Sequence, residues 1–355
     1  IINGDMDVCQ RSTSETGLGA SEVYFVQDRY KLSLGDASAG RFTATKETSD
    51  VPDGFKSAMK LACTTADTSI AAGEYMAVNQ HIEAGNCVRT ETGTSSAKQI
   101  TLSFYAKANA NATYVVQILN NKHSSYIHNN RTFNVTTSYQ RFSMTFQADT
   151  TADSKFDGDL TAAGFSLAFI LHAGSNFTSA TLASDWATGV TNRAAGTDSF
   201  FSSTSNTFFL TGVQLEVGDT ATDFEHRTFD DELNKCHRYF QRVEYKSGSM
   251  EVGLQSTTDN GVWNLKYFPK RADPTITLPT PAVASGANVI SVLTSAGSYR
   301  SSSGSEAVSA DRISKDNTRV ILSGFSSSGS VGDATWIYFV TNTSTKPHIL
   351  IDAEL

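Results

Sequence analysis

The chain has 355 residues and a formal net charge of −8, and 18% of its residues are charged. That charged fraction is below the roughly 25% typical of soluble proteins, so we expect a surface that makes mainly neutral polar contacts. The acidic balance and the lack of any Lys/Arg-rich stretch disfavour nucleic acid as a partner. Because no apolar run approaches the roughly 20 residues of a membrane-spanning helix, the sequence predicts no membrane insertion.

The first 227 residues contain short alternating or β-branched runs separated by Gly, Asn, Asp and Ser, which is the pattern of an all-β protein. The predicted strands lie near Val23–Val26, Arg41–Thr45, Ser57–Cys63, Tyr75–Ile82, Gln99–Ala106, Tyr114–Leu119, Gln140–Gln147, Phe165–His172 and Phe208–Val217. About nine strands with several long connections are typical of a two-sheet jelly roll. We therefore predict a jelly-roll β-sandwich over residues 1–227, with any binding surface in its long polar loops.

A short helix is predicted to follow this domain. Thr228 and Asp231 have the spacing of a capping box, and acidic residues crowd the first turn after them. Phe229, Leu233, Cys236 and Phe240 recur at helical spacing, so one face of the helix should be apolar. These patterns predict a connecting α-helix over residues 228–242.

The remaining residues, 243–355, contain most of the Pro residues and about seven short strand patterns. They predict a smaller C-terminal β-sandwich. Trp263 and Trp336 alternate with apolar neighbours inside predicted strands, which favours core packing over ligand contact for both side chains.

Three sequence blocks mark the end of the first domain and the helix: GVQLEVG at Gly212–Gly218, FEHR at Phe224–Arg227 and EL..C.RYF at Glu232–Phe240. Together they closely resemble a block that recurs in bacteriophage tail-fibre and related tail proteins. The opening NGDMDVCQR at Asn3–Arg11, with DRY at Asp28–Tyr30, is similar to the NG.M...QR and DRW start of that family, with Tyr in place of the usual Trp.

This resemblance implies a virion protein of a tail fibre or tail appendage, made in the host cytoplasm, whose first domain is similar to carbohydrate-binding jelly rolls. It also implies other virion tail proteins as partners and a homotrimer, the usual arrangement of fibres. We predict adhesion to a host cell-surface glycan through several weak sites. Two alternatives stay open, a purely structural virion or capsid decoration protein and a polysaccharide depolymerase.

Trp186, in the loop-like sequence SDWATG, is the first candidate ligand contact. Pyranose rings expose C–H faces that stack on Trp or Tyr, while neighbouring polar groups bond the hydroxyls. Trp186 lies outside any alternating strand pattern. The alternative is that it packs its loop onto the core.

The segment 121–131, NKHSSYIHNNR, gathers His123, Tyr126, His128 and Asn130 on a predicted loop. Its aromatic, imidazole and amide groups predict a surface for a sugar or a protein partner. The alternative is a polar hairpin tip. Two His residues five apart with no third ligand nearby are a weak pattern for metal binding.

The common catalytic motifs GxSxG, HExxH, GxxxxGK[ST] and GxGxxG are absent from the sequence. We therefore predict a protein that is not an enzyme and has no cofactor. A depolymerase would need two carboxyl groups roughly 5–10 Å apart in a cleft, and the sequence singles out no such pair. Asp149, Asp153, Asp157 and Asp159 share one polar loop, which favours a solvated turn; a structural calcium ion and a catalytic group are the alternatives.

Overall fold

The computed structural model describes residues 1–246, 249–257, 260–278, 290–293, 302–325, 331, 334–339 and 348–355. The chain forms two compact units, Ile1–Cys236 together with Leu355, and His237–Glu354. The division falls within the segment 228–242. Among the described residues, no helix has both the length and the apolar character needed to cross a membrane.

The N-terminal unit is a sandwich of two antiparallel sheets. Its strands are β1 Ser14–Leu18, β2 Val23–Tyr24, β3 Lys31–Leu34, β4 Arg41–Glu47, β5 Ala58–Thr65, β6 Tyr75–Glu83, β7 Ile100–Ala108, β8 Ala112–Asn120, β9 His128–Val135, β10 Gln140–Phe146, β11 Ala163–Ala173 and β12 Thr207–Val217. Sheet 1 has the order β1-β4-β5-β12-β7-β10, and sheet 2 has the order β2-β3-β6-β11-β8-β9. From β5 to β12 the chain crosses repeatedly between the sheets, which is the connectivity of a jelly roll. The predicted all-β jelly roll is confirmed.

The main core lies between the two sheets. Because successive strand residues point to opposite faces, Leu102, Phe104 and Ala106 of β7 all point inward, and all are fully buried. The Phe104 ring lies 5.1 Å from the ring of Phe133 and 5.0 Å from that of Phe169, with both pairs edge to face. Aromatic pairs of this kind contribute about 0.5–1.5 kcal/mol each beyond the area that they bury.

Residues 175–199, here called the covering segment, pack onto the outer face of sheet 2. Side chains that point outward from this sheet, including Val115 of β8 and Ile170 of β11, are buried in a second, smaller core. Phe177 and Leu182 of the covering segment pack against it. The long connection between β11 and β12 is therefore held in place by an apolar layer of its own.

The motif residues near the start of the chain meet in a buried polar cluster. The Asn3 side chain donates from Nδ2 to the carbonyl oxygens of Val8 (2.8 Å) and Asp28 (3.0 Å), and its Oδ1 accepts the Val8 backbone N–H (2.8 Å). The Asp28 carboxylate accepts the backbone N–H of Gln10 (3.0 Å). Tyr30, the last residue of the DRY sequence, is 1% exposed. These residues hold the N-terminal loop together.

Short helices lie between the strands of the first unit, and one more helix follows its last strand. They are the α-helices α1 Ala84–Cys87, α2 Ser175–Thr178 and α3 Phe229–His237, and the 3-10 helices Val88–Thr90, Ala152–Ser154 and Phe200–Ser202. The predicted cap of α3 is present, because the Thr228 hydroxyl accepts the backbone N–H of Asp231 (3.2 Å) and donates to its carboxylate (2.6 Å). The predicted extent of the helix, 228–242, is wrong: α3 ends at His237, and residues 240–244 form a strand.

The buried side of α3 agrees with the predicted apolar face only in part. Cys236 and Phe240 are buried as predicted, but Phe229 is 47% exposed and the charged Glu232 is buried. The Glu232 carboxylate accepts the backbone N–H of Asn3 and pairs with the Arg227 guanidinium at 3.2 Å. The Glu232 carboxylate therefore ties α3 to the N-terminal loop. Removing either of its partners would leave a buried charge without compensation, which is strongly destabilising.

The C-terminal unit is a smaller β-sandwich. Its strands are β13 Phe240–Glu244, β14 Met250–Gln255, β15 Gly261–Lys266, β16 Thr275–Thr277, β17 Ile290–Leu293, β18 Ser302–Asp311, β19 Asn317–Phe325, β20 Ala334–Phe339 and β21 His348–Asp352. One sheet has the order β13-β21-β16, and the other has the order β17-β20-β14-β15-β19-β18. The predicted second sandwich is confirmed.

Side chains from both of these sheets share one core. Ile349 and Ile351 of β21 lie in the same buried cluster as Trp263 of β15 and Val320 of β19. Trp263 is 3% exposed, which confirms the prediction that it packs in the core. The side chain of Trp336 lies outside the described residues. Residues 240–244 form a strand because they pair with β21 along its whole length, Phe240 opposite Asp352 and Glu244 opposite His348.

We expect His237 to make the C-terminal unit less stable in acid. Its ring lies 4.6 Å from the Phe268 ring, and burial, with a smaller effect of the Lys270 charge, lowers the pKa of His237 to about 4. An unfolded His has a pKa of about 6.5, so the unfolded state binds more protons between those two values. Stability should therefore fall as the pH decreases from 6.5 to 4, on the order of 1 kcal/mol for this partly exposed group.

The test is urea unfolding of the wild-type protein and of His237→Gln at pH 7 and pH 5. The variant should lose less unfolding free energy on acidification than the wild-type protein, because Gln does not titrate. An equal loss in both proteins would show that other groups cause the acid sensitivity.

Candidate functional site

The turn between β8 and β9 presents Tyr126 to solvent. The Asn120 N–H donates to the Ile127 carbonyl oxygen (2.8 Å), and the Tyr126 N–H donates to that of His123 (3.0 Å). The His123 Nδ1 accepts the backbone N–H of Ser125 (3.0 Å). Tyr126 has a φ of 49°, a left-handed conformation that is uncommon for a bulky residue, and its side chain is 61% exposed. His123 therefore shapes the turn, and Tyr126 is the side chain that the turn displays.

A surface cleft of about 300 Å³ lies beside Tyr126, between this turn and the covering segment. Its lining consists of Leu119, Ser125, Tyr126, His128, Gly189, Val190 and Arg193. Val190 is 52% exposed, so the lining contains both an exposed aromatic side chain and an exposed aliphatic side chain. These seven residues form the Tyr126 cleft.

His128 closes the bottom of the cleft. It is 1% exposed, and its backbone pairs with Ala187 through two hydrogen bonds of 2.9 and 3.0 Å. Its Nε2 donates to the Gly189 carbonyl oxygen (2.8 Å), and its Nδ1 then accepts from Nδ2 of Asn130 (2.9 Å). Burial, the largest effect, and the nearby Arg193 charge lower the pKa of His128, although the Gly189 carbonyl opposes this shift. The imidazole is therefore neutral at pH 7.

A chain of polar side chains connects His128 to Arg193. Asn130 is buried, donates from Nδ2 to the Ala183 carbonyl oxygen (2.9 Å), and accepts from Nε2 of Gln117 (2.7 Å). The Oε1 of Gln117 accepts in turn from Nη2 of Arg193 (2.7 Å). The Arg193 guanidinium also lies over the Tyr75 ring, 5.4 Å from its centroid. These contacts fix the position of the guanidinium at the cleft.

The structure shows Trp186 in the alternative role, packing its loop onto the core. Its ring stacks on Phe165 with centroids 6.0 Å apart and an angle of 19° between the planes. Its indole N–H donates to the Gln147 carbonyl oxygen at 2.6 Å. Because Trp has only this one donor, it is already used within the fold. Trp186 does not line the Tyr126 cleft, and a direct ligand contact by Trp186 stays a prediction.

The predicted loop 121–131 is wrong over its last residues, because β9 begins at His128. His128 and Asn130 point into the fold and have protein partners, so they support the cleft from below. Of the predicted ligand residues, the cleft contains Tyr126 and His128. It adds Val190 and Arg193, which the sequence analysis did not select.

The four clustered Asp residues do not form one site. Asp149 is 2% exposed and accepts from the Thr151 N–H (3.0 Å) and from Asn120 Nδ2 (3.3 Å), so it closes a turn. Asp153, Asp157 and Asp159 are exposed. Within the part of the chain that the structure describes, no three His, Cys, Asp or Glu side chains are placed to hold a metal ion. A structural calcium ion stays an untested prediction.

Comparisons with known proteins show similarity at the level of solved structures. No family model matches the chain, and no curated protein matches it. A structure described as "CBM4 structure and function" is 18% identical, with a TM-score of 0.30, and the match covers 61% of this chain and 97% of that one. A family 11 carbohydrate-binding module from Clostridium thermocellum, in complex with a β-1,3-1,4-mixed-linked tetrasaccharide, is 12% identical, with a TM-score of 0.29 and coverages of 60% and 98%.

The enzymatically active domain of tailspike protein 4 from bacteriophage CBA120 is also similar. It is 13% identical with a TM-score of 0.30, and the match covers 53% of this chain but 19% of that one. Each of these is a protein that the chain is similar to. At these identities and TM-scores, none of them assigns a ligand, an activity or an assembly to this chain.

Proposed function

We propose that this chain is a non-catalytic adhesion protein that binds a host cell-surface glycan in the Tyr126 cleft. The observation that carries this proposal is the Tyr126 ring, which is 61% exposed at the rim of a cleft whose floor is fixed by hydrogen bonds. A sugar ring stacks on such a surface through its C–H groups, and polar groups beside it bond the hydroxyls. The Arg193 guanidinium and the Ser125 hydroxyl lie in the same lining.

The biological setting that we propose is a bacteriophage tail fibre or tail appendage. It rests on the GVQLEVG, FEHR and EL..C.RYF blocks and on the NG.M...QR start, which resemble those of tail proteins. A fibre that carries three copies of the chain and is joined to other tail proteins would present the cleft several times. Multivalent attachment converts a modest affinity at one cleft into strong adhesion.

A second candidate function is structural attachment to another virion protein. Val252 and Leu254 of β14 are 65% and 56% exposed, and residues two apart on a strand point to the same face. Two adjacent exposed aliphatic side chains on one sheet favour a protein contact at that face. This surface belongs to the C-terminal unit, so it is compatible with glycan binding by the N-terminal unit.

Replacing Tyr126 with Ala is expected to weaken glycan binding at least about tenfold, which corresponds to about 1.4 kcal/mol, because truncation of an aromatic side chain that dominates a contact costs about 2 kcal/mol or more. A glycan array identifies the bound sugar, and titration then gives the Kd of each variant. Tyr126→Phe should retain most of the affinity because it keeps the ring. Phe229→Ala removes another exposed aromatic side chain and is the matched control. Equal affinities for Tyr126→Ala and Phe229→Ala would exclude this cleft as the binding site.

A further inference from the structure

We propose that the Tyr126 cleft selects an acidic saccharide, with the carboxylate of a sialic or uronic acid bound by Arg193. This inference rests on the proposed function and specifies the class of glycan. It comes from the charges of the cleft and from the hydrogen bonds that Arg193 does and does not make.

Arg193 is the one cation among the seven lining residues at neutral pH, and none of the seven is a carboxylate. His128 adds no positive charge, because its ring donates to Gly189 and accepts from Asn130 as the neutral form does. The chain as a whole carries a net charge of −8. A localised positive charge in an acidic protein attracts an anionic group to this point of the surface.

Arg193 keeps donors available. A guanidinium has five N–H donors, and within the described residues the Arg193 guanidinium makes one hydrogen bond, to Gln117, and no ion pair with Asp or Glu. Its Nε is buried without an acceptor. Arg131, on β9, shows the contrast, since it donates to Asn129, Asn130, Ser184 and Thr145 at 2.6 to 3.0 Å.

The different hydrogen bonding of Arg131 and Arg193 indicates that the two side chains have different roles. Arg131 donates to four carbonyl and amide oxygens of the protein, so it serves the fold. Arg193 is held by Gln117 and by the Tyr75 ring, and its remaining donors can bind an external oxygen pair. A carboxylate matches the planar guanidinium with two parallel hydrogen bonds, which a neutral hydroxymethyl group cannot form.

The experiment compares acidic glycans with their neutral counterparts. The probes are an array of sialylated and uronate-containing oligosaccharides, together with the same oligosaccharides after reduction of each carboxyl group to a primary alcohol. We expect the bound members to carry carboxylates, and we expect carboxyl reduction to increase Kd at least about tenfold. The preference should decrease as salt increases, because the ligand charge is partly exposed to solvent.

Two substitutions assign the preference to Arg193. Arg193→Gln should bind the acidic and the reduced probe with similar affinity, while Arg193→Lys should keep part of the preference because it keeps the charge. Arg89→Gln, which removes an exposed Arg outside the cleft, should behave as the wild-type protein does. Thermal unfolding of each variant verifies that it is folded.

Equal binding of acidic and reduced probes by the wild-type protein would overturn this inference and leave the proposed glycan adhesion standing. A preference that persists in Arg193→Gln would overturn it as well, because another group would then recognise the carboxylate. Failure of every array member to bind would reject the proposed function, and this inference with it.

Discussion

Replacing Asn3 with Ala is expected to destabilise the N-terminal unit by about 3 kcal/mol. The Asn3 side chain is fully buried and makes three hydrogen bonds of 2.8 to 3.0 Å, two to the backbone of Val8 and one to the carbonyl of Asp28. The substitution leaves these buried groups without their partner, at a cost of about 1–3 kcal/mol for each group that water cannot reach. Asn3 also has a φ of 57°, which Asn tolerates better than Ala.

Urea unfolding measures this loss. Asn86→Ala is the control, because Asn86 is exposed, and surface substitutions usually change stability by less than about 0.5 kcal/mol. Asn3→Asp should be destabilising too, since a carboxylate would face two carbonyl oxygens. Glycan binding of the folded fraction of Asn3→Ala should be unchanged, because Asn3 does not line the Tyr126 cleft. A stability of Asn3→Ala equal to that of Asn86→Ala would contradict an architectural role for the NG.M motif.

Short-range patterns predicted much of the fold. Alternation along β7, β11 and β12 is a property of the strand itself, so these strands could be found without knowing their partners. The Thr228 cap is likewise local, because the hydroxyl and the N–H that it accepts are three residues apart. The β9 strand was missed for the opposite reason: His128, Asn129 and Asn130 are polar, and all are buried by contacts with distant segments.

The candidate site was less predictable, because the contacts that build it join residues far apart in sequence. Arg193 reaches Gln117 across 76 positions, and Gln117 in turn holds Asn130. No periodicity marks such a chain of polar groups. Trp186 was selected by residue type, but its neighbours Phe165 and Gln147 decide its role. Tyr126 could be selected because it lies in a polar segment that was predicted as a loop, and loop residues are commonly at the surface.

Replacing His172 with Phe is expected to destabilise the N-terminal unit by about 3 kcal/mol. The His172 ring is fully buried, with Nε2 2.9 Å from a carboxylate oxygen of Glu74 and Nδ1 2.7 Å from the Ser199 hydroxyl. The His172 ring packs edge to face on Phe201, with centroids 5.3 Å apart, and Phe keeps an aromatic ring at this position. Because Phe cannot donate a hydrogen bond, the buried Glu74 carboxylate loses its partner. Leaving a buried hydrogen-bonding group unpaired costs about 1–3 kcal/mol, and more for a charged group, so a value near the upper end of that range is expected for Glu74.

The same substitution should weaken glycan binding from a distance. His172 precedes the covering segment and Ser199 ends it, and the Gly174 N–H donates to the Glu74 carbonyl oxygen at 2.7 Å, so these contacts fix both ends of the segment. The segment carries Val190 and Arg193 to the cleft. Hydrogen exchange of residues 183–194 should therefore become faster in His172→Phe, and Kd should increase although no lining residue has changed.

Ser199→Ala offers a graded comparison, because it removes one of the two hydrogen bonds of the His172 ring. Its expected cost is about 1 kcal/mol, with a smaller change in exchange and in affinity. His172 contacts both Ser199 and Glu74. The loss of stability in a double variant with Ser199→Ala and His172→Phe should therefore be smaller than the sum of the two single losses. His172→Phe could instead lose stability while hydrogen exchange over residues 183–194 stays unchanged. That result would show that the apolar layer under Phe177 and Leu182 is sufficient to position the cleft.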